Sequence, residues 1–253
     1  MNNKSNIFKA SHTPFNFKNY ESSFELNRIN ILKNLIPVGN GKTAIDIGCG
    51  PGYFSKELTN KNWRTTSIDT DPENIKIAKN YAHETHLGDA LDILSNLSES
   101  QYDLVLCLEL IEHMPKPQGE KLLMRIIRLL KPHGKLIIST PNKFSLEGLG
   151  GYYWGEKIRG WGKWTAWDAS HVYIYSSMEI QKILKMCGFV IDRITGYYYE
   201  GRFPVIGQWK LPLVKTTRFP FNRLGFNTII ECHKCAVNQQ QNSLETYIKE
   251  TTN

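Results

Sequence analysis

No stretch of this 253-residue chain approaches the roughly 20 consecutive apolar residues that a membrane-spanning helix requires. Met1 to Lys18 are polar and hold no apolar signal-peptide centre, so a cytoplasmic protein is the expectation. Cysteine is scarce and odd in number: five residues scattered along the chain suit reduced thiols, not a disulfide framework. Cys232 and Cys235 have C-x-x-C spacing, but they stand alone where a zinc site would need further ligands nearby. The net charge of +7 permits attraction to phosphate-bearing partners. Yet Lys121, Arg125 and Arg128 are spread over a helix face as on any solvated surface, and the chain lacks a concentrated basic stripe or a separate RNA-binding module.

What is present is 41% hydrophobic residues, enough for one substantial core in a chain of this length. From residue 43 to about 140, short β-like runs alternate with helical patterns, which argues for an α/β fold: a parallel, doubly wound sheet with helices on both faces. The expected strands are Thr43 to Ile47, Arg64 to Asp69, Glu84 to Leu87, Tyr102 to Leu106, Lys135 to Ser139, Phe189 to Thr195 and Thr228 to His233. An amphipathic helix places Leu122, Leu123, Ile126, Ile127 and Leu130 on one face and stops at the turn Lys131 to Gly134. Another runs from Ser177 to Cys187 and ends at Gly188.

These elements divide the chain into an N-terminal helical cap (1–39), a core (40–142), an insertion (143–176), the rest of the core (177–236) and a polar tail (237–253). The cap carries a helix from Glu21 to Leu35, and the tail, from Val237, is expected to fray. Two segments break the alternation. Lys143 to Trp167 holds Tyr152, Tyr153, Trp154, Trp161, Trp164 and Trp167, too aromatic for an idle loop. Gly201 to Gly225 mixes Trp209, Phe219 and Phe221 with Arg202, Lys210, Lys215 and Arg218. Both are candidate covers for a substrate at the carboxyl edge of the sheet, where α/β folds bind ligands.

The first strand runs into Asp46, Ile47, Gly48, Cys49, Gly50, Pro51, Gly52. Glycines at every second position let the main chain bend sharply off a strand and approach a ligand closely. The third glycine comes one residue too early for the dinucleotide fingerprint, and an acid precedes the first. With these features the segment resembles the first motif of class I S-adenosylmethionine-dependent methyltransferases. The resemblance covers about residues 40 to 235 and implies a Rossmann-like, seven-stranded sheet whose last strand is antiparallel. It also implies that Asp46, Gly48, Cys49, Gly50 and Gly52 cradle the methionine and ribose part of S-adenosylmethionine.

Asp69 closes the second strand about 20 residues beyond the turn, where a carboxylate can accept both ribose hydroxyls. Asp71, ahead of Pro72, reads as a helix cap. Asp89 matches the family's adenine-binding position and is equally placed to cap the next helix. Ala90 and Leu108, beside the third and fourth strands, complete the cofactor lining that the resemblance implies. Such contacts would aim a methyl group at a nucleophile for in-line displacement.

Beyond the fourth strand stand Glu109, Glu112 and His113. If a helix starts there, positions i, i+3 and i+4 place all three on one face, able to present two carboxylates and an imidazole to one cation. His171, after the aromatic segment, could return over the same edge as a fourth ligand. This E-x-x-E-H pattern with a later histidine resembles the ubiquinone-biosynthesis O-methyltransferases and the small-RNA 2′-O-methyltransferases. In both, the resemblance implies a divalent cation that lowers the pKa of an acceptor hydroxyl. Mixed oxygen and nitrogen donors leave magnesium, manganese and zinc open. Without a metal, His113 or His171 would serve as general base, suited by an unperturbed pKa of about 6.5.

The aromatic segment suits a flat or greasy acceptor. Its interleaved Trp154, Lys157, Arg159, Trp161, Lys163 and Trp164 suit a membrane headgroup layer as well as packing over a site. The sequence therefore points first to O-methylation of a small-molecule, sugar or lipid-like hydroxyl. RNA 2′-O-methylation and noncatalytic cofactor binding stand as alternatives.

Overall fold

The computed structural model of the protein describes residues 23–145, 148–160, 162–163, 165–166, 168–198 and 215–235. The polar start, Trp161, Trp164, Trp167, Arg202, Trp209, Lys210 and the tail from Val237 lie outside the described residues.

One eight-stranded sheet organises the chain. Its members are β1 (Thr43–Ile47), β2 (Arg64–Asp69), β3 (Glu84–Leu87), β4 (Tyr102–Leu108), β5 (Leu130–Pro141), β6 (Phe189–Tyr197), β7 (Lys215–Thr216) and β8 (Asn227–Lys234). The spatial order is β3-β2-β1-β4-β5-β8-β6-β7. Pairs among β1 to β5 are parallel, and β8 runs antiparallel between β5 and β6. Among the described residues the α-helices with full bounds are α1 (Ser23–Leu35), α2 (Tyr53–Asn60), α3 (Pro72–Ala78), α4 (Ala90–Asn96), α5 (Lys116–Leu129) and α6 (Ser177–Met186).

Side chains alternate across the sheet, so each central strand feeds two cores. Val105 and Cys107 of β4 join Leu122, Leu123 and Ile126 of α5 and Ile180 and Leu184 of α6 on one face. Leu104, Leu106 and Leu108 join Ile31 and Leu32 of α1 and Leu58 of α2 on the other. Full burial of such side chains is worth about 1.5–3 kcal/mol each. Helix α1 is pinned to the second face. Lys61 Nζ donates to the carbonyl of Ile36 at 2.6 Å, Trp63 Nε1 donates to that of Pro37 at 2.8 Å, and Lys33 pairs with Glu57 at 2.9 Å.

Three expectations need correction. The sheet has eight strands, because Lys215 and Thr216 pair with Tyr197 and Gly196 as a short edge. Two residues are too few to leave a periodic trace in sequence. The expected turn from Lys131 to Gly134 lies inside β5, where the pairing register with β4 shifts between Tyr102 and Leu104 and His133 takes φ 61°. Pro132 and Gly134 thus mark a bulge. Leu130, assigned to the apolar helix face, is instead the first residue of that strand, buried all the same.

Candidate active site

The carboxyl ends of β1, β2, β4 and β5 frame the site. After β1 the chain turns through Gly48, Gly50 and Gly52, all at positive φ. At Gly48 a Cβ would stand 2.9 Å from the Leu110 side chain, so the turn is pressed against the segment that follows β4. At Gly50 a Cβ would meet nothing within 4 Å, so the main chain there faces open space, as a close-lying ligand requires. The amide of Gly50 donates to Asp69 Oδ2 at 2.8 Å, while Asp69 Oδ1 accepts from the amide of Asp71 at 2.9 Å and from Asn74 at 3.2 Å. The β2 carboxylate is therefore held beside the turn.

Asp46 is 2% exposed and accepts from Ser55 Oγ at 2.7 Å; Ser55 in turn accepts from Ser67 Oγ at 2.8 Å. Burial pushes its carboxyl up to about 7, against the hydrogen bonds from Ser55 and with some repulsion from Asp69. Sequence reasoning missed Ser55 and Ser67, because nothing local marks a serine that faces another strand. Cys49 is buried, donates to the Gly50 carbonyl, and has its thiol pushed far up by burial. Asp71 caps α3 by accepting from the amide of Glu73. Asp89 caps α4, accepting from the amide of Leu91 at 2.7 Å. Ala90 and Leu108 are both 8% exposed.

The segment after β4 differs from expectation. Glu109 takes φ 51°, and a short 3-10 turn begins only at Ile111. Glu109 therefore does not share a helix face with Glu112 and His113. Its Oε1 accepts from Ser139 Oγ at 2.6 Å, its Oε2 accepts from Asn227 Nδ2 at 2.6 Å, and Arg28 of α1 stands 3.9 Å away.

Glu112, His113 and His171 do come together: one donor atom from each lies within 4.8 Å of the others. The loop carrying His171 is tied down by main chain, since the amides of Val172 and Tyr173 donate to the carbonyl of Glu112 at 2.8 and 3.1 Å. The two imidazoles meet edge to face, centroids 4.9 Å apart. Glu112 is fully buried; its Oε2 accepts from Thr140 Oγ1 at 3.0 Å and its Oε1 has no partner among the described residues. Burial, and then the charge of Glu109, hold its carboxyl well above the usual range. Desolvation and the adjacent His171 hold the His113 imidazole below its ordinary value. Partial burial would raise Asp168, but hydrogen bonds from Ser170 and the facing imidazoles outweigh it and hold that carboxyl low.

A parallel sheet with one inserted antiparallel strand, a glycine turn after β1 and a carboxylate closing β2 define a Rossmann-like cofactor-binding protein. A model of the methyltransferase domain matches residues 23–194, and the chain belongs to that family. Among curated relatives, the ubiquinone biosynthesis O-methyltransferase of Rickettsia bellii is 32% identical over 161 residues, 62% of this chain and 65% of that one. That of Idiomarina loihiensis is 30% identical over 126 residues, 48% of this chain and 51% of that one. The chain thus spans less than two thirds of the length of these relatives. A solved structure of a SAM-dependent methyltransferase from Archaeoglobus fulgidus superposes with TM-score 0.62 at 20% identity, covering 86% of this chain and 97% of that one. A possible histamine N-methyltransferase from Thermotoga maritima gives 0.59 at 19%, covering 83% and 88%. At those identities the likeness is one of fold.

Proposed function

We propose that this chain is an S-adenosylmethionine-dependent O-methyltransferase that acts on a small-molecule or lipid-like hydroxyl with help from a divalent cation. One observation carries the reading: a carboxylate oxygen without a partner and two imidazoles converge at the strand edge next to the glycine turn. When bound, S-adenosylmethionine supplies an electrophilic methyl carbon, and a cation supplies the charge that lowers a hydroxyl pKa.

The residues fit both groups. Gly50 leaves room over the turn, Asp69 offers its lone pairs to ribose hydroxyls, and Asp46 lies beneath. Glu112, His113 and His171 would hold the cation. Glu112 Oε1 is the donor that most needs a partner, since a buried carboxylate oxygen with none costs several kcal/mol when ionised. Their mixed oxygen and nitrogen donors suit magnesium, manganese or zinc. Glu109 falls outside that set, its oxygens already engaged by Ser139 and Asn227. With both imidazoles holding the cation, the acceptor hydroxyl would lose its proton to solvent; without a cation, an imidazole of the pair would take it, and in either case the sheet edge aligns oxygen with methyl carbon. The relatives' name supports oxygen as the methylated atom.

A lipid-like acceptor is supported by the helical segment Leu149–Ile158 ahead of His171. There Leu149, Trp154 and Ile158 are exposed, and Arg159 stacks on Trp154 at 5.4 Å. This segment would rest on a headgroup layer of the cytoplasmic membrane surface. No described helix is long and apolar enough to cross a membrane. The test is mass spectrometry after incubation with methyl-labelled S-adenosylmethionine and a panel of catechol, sugar and prenylated phenol acceptors. A labelled ether is expected, and chelation should stop its formation. Label on nitrogen, or none on any acceptor, overturns the reading.

A further inference from the structure

We propose that Asp168, acting through Ser170, and the carbonyl of Thr165 fix the proton positions of His113 and His171, so that both rings carry hydrogen on Nδ1 and a lone pair on Nε2. Asp168 and Ser170 are positioning residues in this account, and their importance to function rests on the reading of Glu112, His113 and His171 given above.

The assignment follows from counting hydrogens. Ser170 Oγ lies 2.6 Å from Asp168 Oδ1. A carboxylate only accepts, so the single hydroxyl hydrogen of Ser170 goes to Asp168. His113 Nδ1 lies 3.1 Å from the same Ser170 Oγ. That oxygen has only lone pairs left, so His113 Nδ1 must donate. Asp168 is held in place by accepting, on the same oxygen, the Ser170 amide at 2.8 Å. His171 is fixed independently: its Nδ1 lies 2.7 Å from the carbonyl of Thr165, which also only accepts. A neutral imidazole with hydrogen on Nδ1 keeps its lone pair on Nε2.

The consequence is that each imidazole keeps one nitrogen lone pair in a cluster that also holds the carboxylate of Glu112, whose Oε1 has no partner among the described residues. Partners of this kind orient a ligating histidine and typically contribute a factor of about 10–100 in metal affinity. Asp168 Oδ2 also stands 3.8 Å from His171 Nε2, beyond hydrogen-bond reach, so the two hydrogen-bonded locks remain separate and can be broken separately. In Asp168→Ala the Ser170 hydroxyl is free to donate to His113 Nδ1, which drives the hydrogen of that ring to Nε2. His171 keeps its bond to Thr165 and does not change.

Long-range proton–nitrogen correlation spectra of histidine-labelled, metal-free protein read these tautomers directly, with signals assigned by single histidine replacements. Wild type is expected to show Nδ1–H at both residues, and Asp168→Ala a change at His113 alone. Ser170→Ala, which leaves His113 without its acceptor, provides a second variant and is expected to give a mixed His113 tautomer. Hydrogen on Nε2 of His113 in wild type, or an unchanged His113 in both variants, overturns the proposal. Calorimetry with Zn²⁺ or Mn²⁺ alone separates it from the wider reading. Expected tautomers without cation binding sink the cation site and leave the positioning intact, whereas cation binding unaltered by Asp168→Ala, with unaltered tautomers, sinks the positioning.

Discussion

Thr140 donates to Glu112 across a fully buried 3.0 Å hydrogen bond that satisfies one carboxylate oxygen and leaves the other without a partner. A buried, half-satisfied carboxylate lowers the stability of the protein that carries it and leaves one oxygen open to a ligand.

Glu112→Gln separates these two effects. Ionised Glu112 is opposed by burial and by Glu109, so the neutral amide should raise stability at about pH 8 by on the order of 1 kcal/mol in urea unfolding. Methyl transfer should fall by roughly 100-fold or more, as it should for His171→Ala, while S-adenosylmethionine affinity stays nearly constant in both. Parallel loss of cofactor binding would mean that these residues hold the fold and not the chemistry.

Asp69→Ala should show the reverse pattern. It removes the acceptor of the Gly50 amide and the expected partner of the ribose hydroxyls. Losing bonds to a charged group predicts a roughly 10- to 100-fold weaker cofactor Kd by calorimetry. Turnover at saturating cofactor should change far less, and a large fall there would contradict a pure binding role.

Asp46 predicts a pH dependence of stability. Its carboxyl is pushed up to about 7 in the folded protein, against about 3.9 in an unfolded chain. Between those values the folded state keeps a proton that the unfolded state has released. Stability from this group is therefore greatest below about pH 4, falls as pH rises towards 7, and is level above. Relative to Asp46→Asn, wild type should lose about 2–3 kcal/mol between pH 5 and pH 8. Parallel pH curves for the two proteins would refute the assignment.

Asn142 joins three parts of the chain beside the site. Its Nδ2 donates to the carbonyls of Arg223 and Gly225, and its Oδ1 accepts from the amides of Phe144 and Ser177. The residue is fully buried, so Asn142→Ala would leave several polar groups unsatisfied and should cost about 2–4 kcal/mol by denaturant unfolding. A change under about 0.5 kcal/mol would show that water replaces these bonds.

Local pattern made much of the fold legible. Strands β1, β2 and β3 have the bounds read from short β-like runs, and α5 follows its 3.6-residue stripe closely. The glycine turn was visible because glycine takes positive φ values at little cost, and three glycines stand at alternate positions. Asp71 was visible as a cap, and capping was one of the two readings of Asp89, because a cap bonds two or three residues ahead in its own chain. The site was less legible. Glu109 was grouped with Glu112 and His113 by assuming a helix, and a single positive φ takes it to Ser139 and Asn227 instead.

The sequence by itself determined the alternation of strand and helix, the bend after β1 and the residue types available for chemistry, since each depends on neighbours a few positions apart. Only the tertiary structure decided which of those residues meet. The approach of His171 to Glu112 is set by amide bonds to the Glu112 carbonyl, and the resting place of Glu109 by Asn227, 118 positions away in the chain. Partnerships across such distances are fixed by packing and hydrogen bonding among whole elements, which no local periodicity encodes.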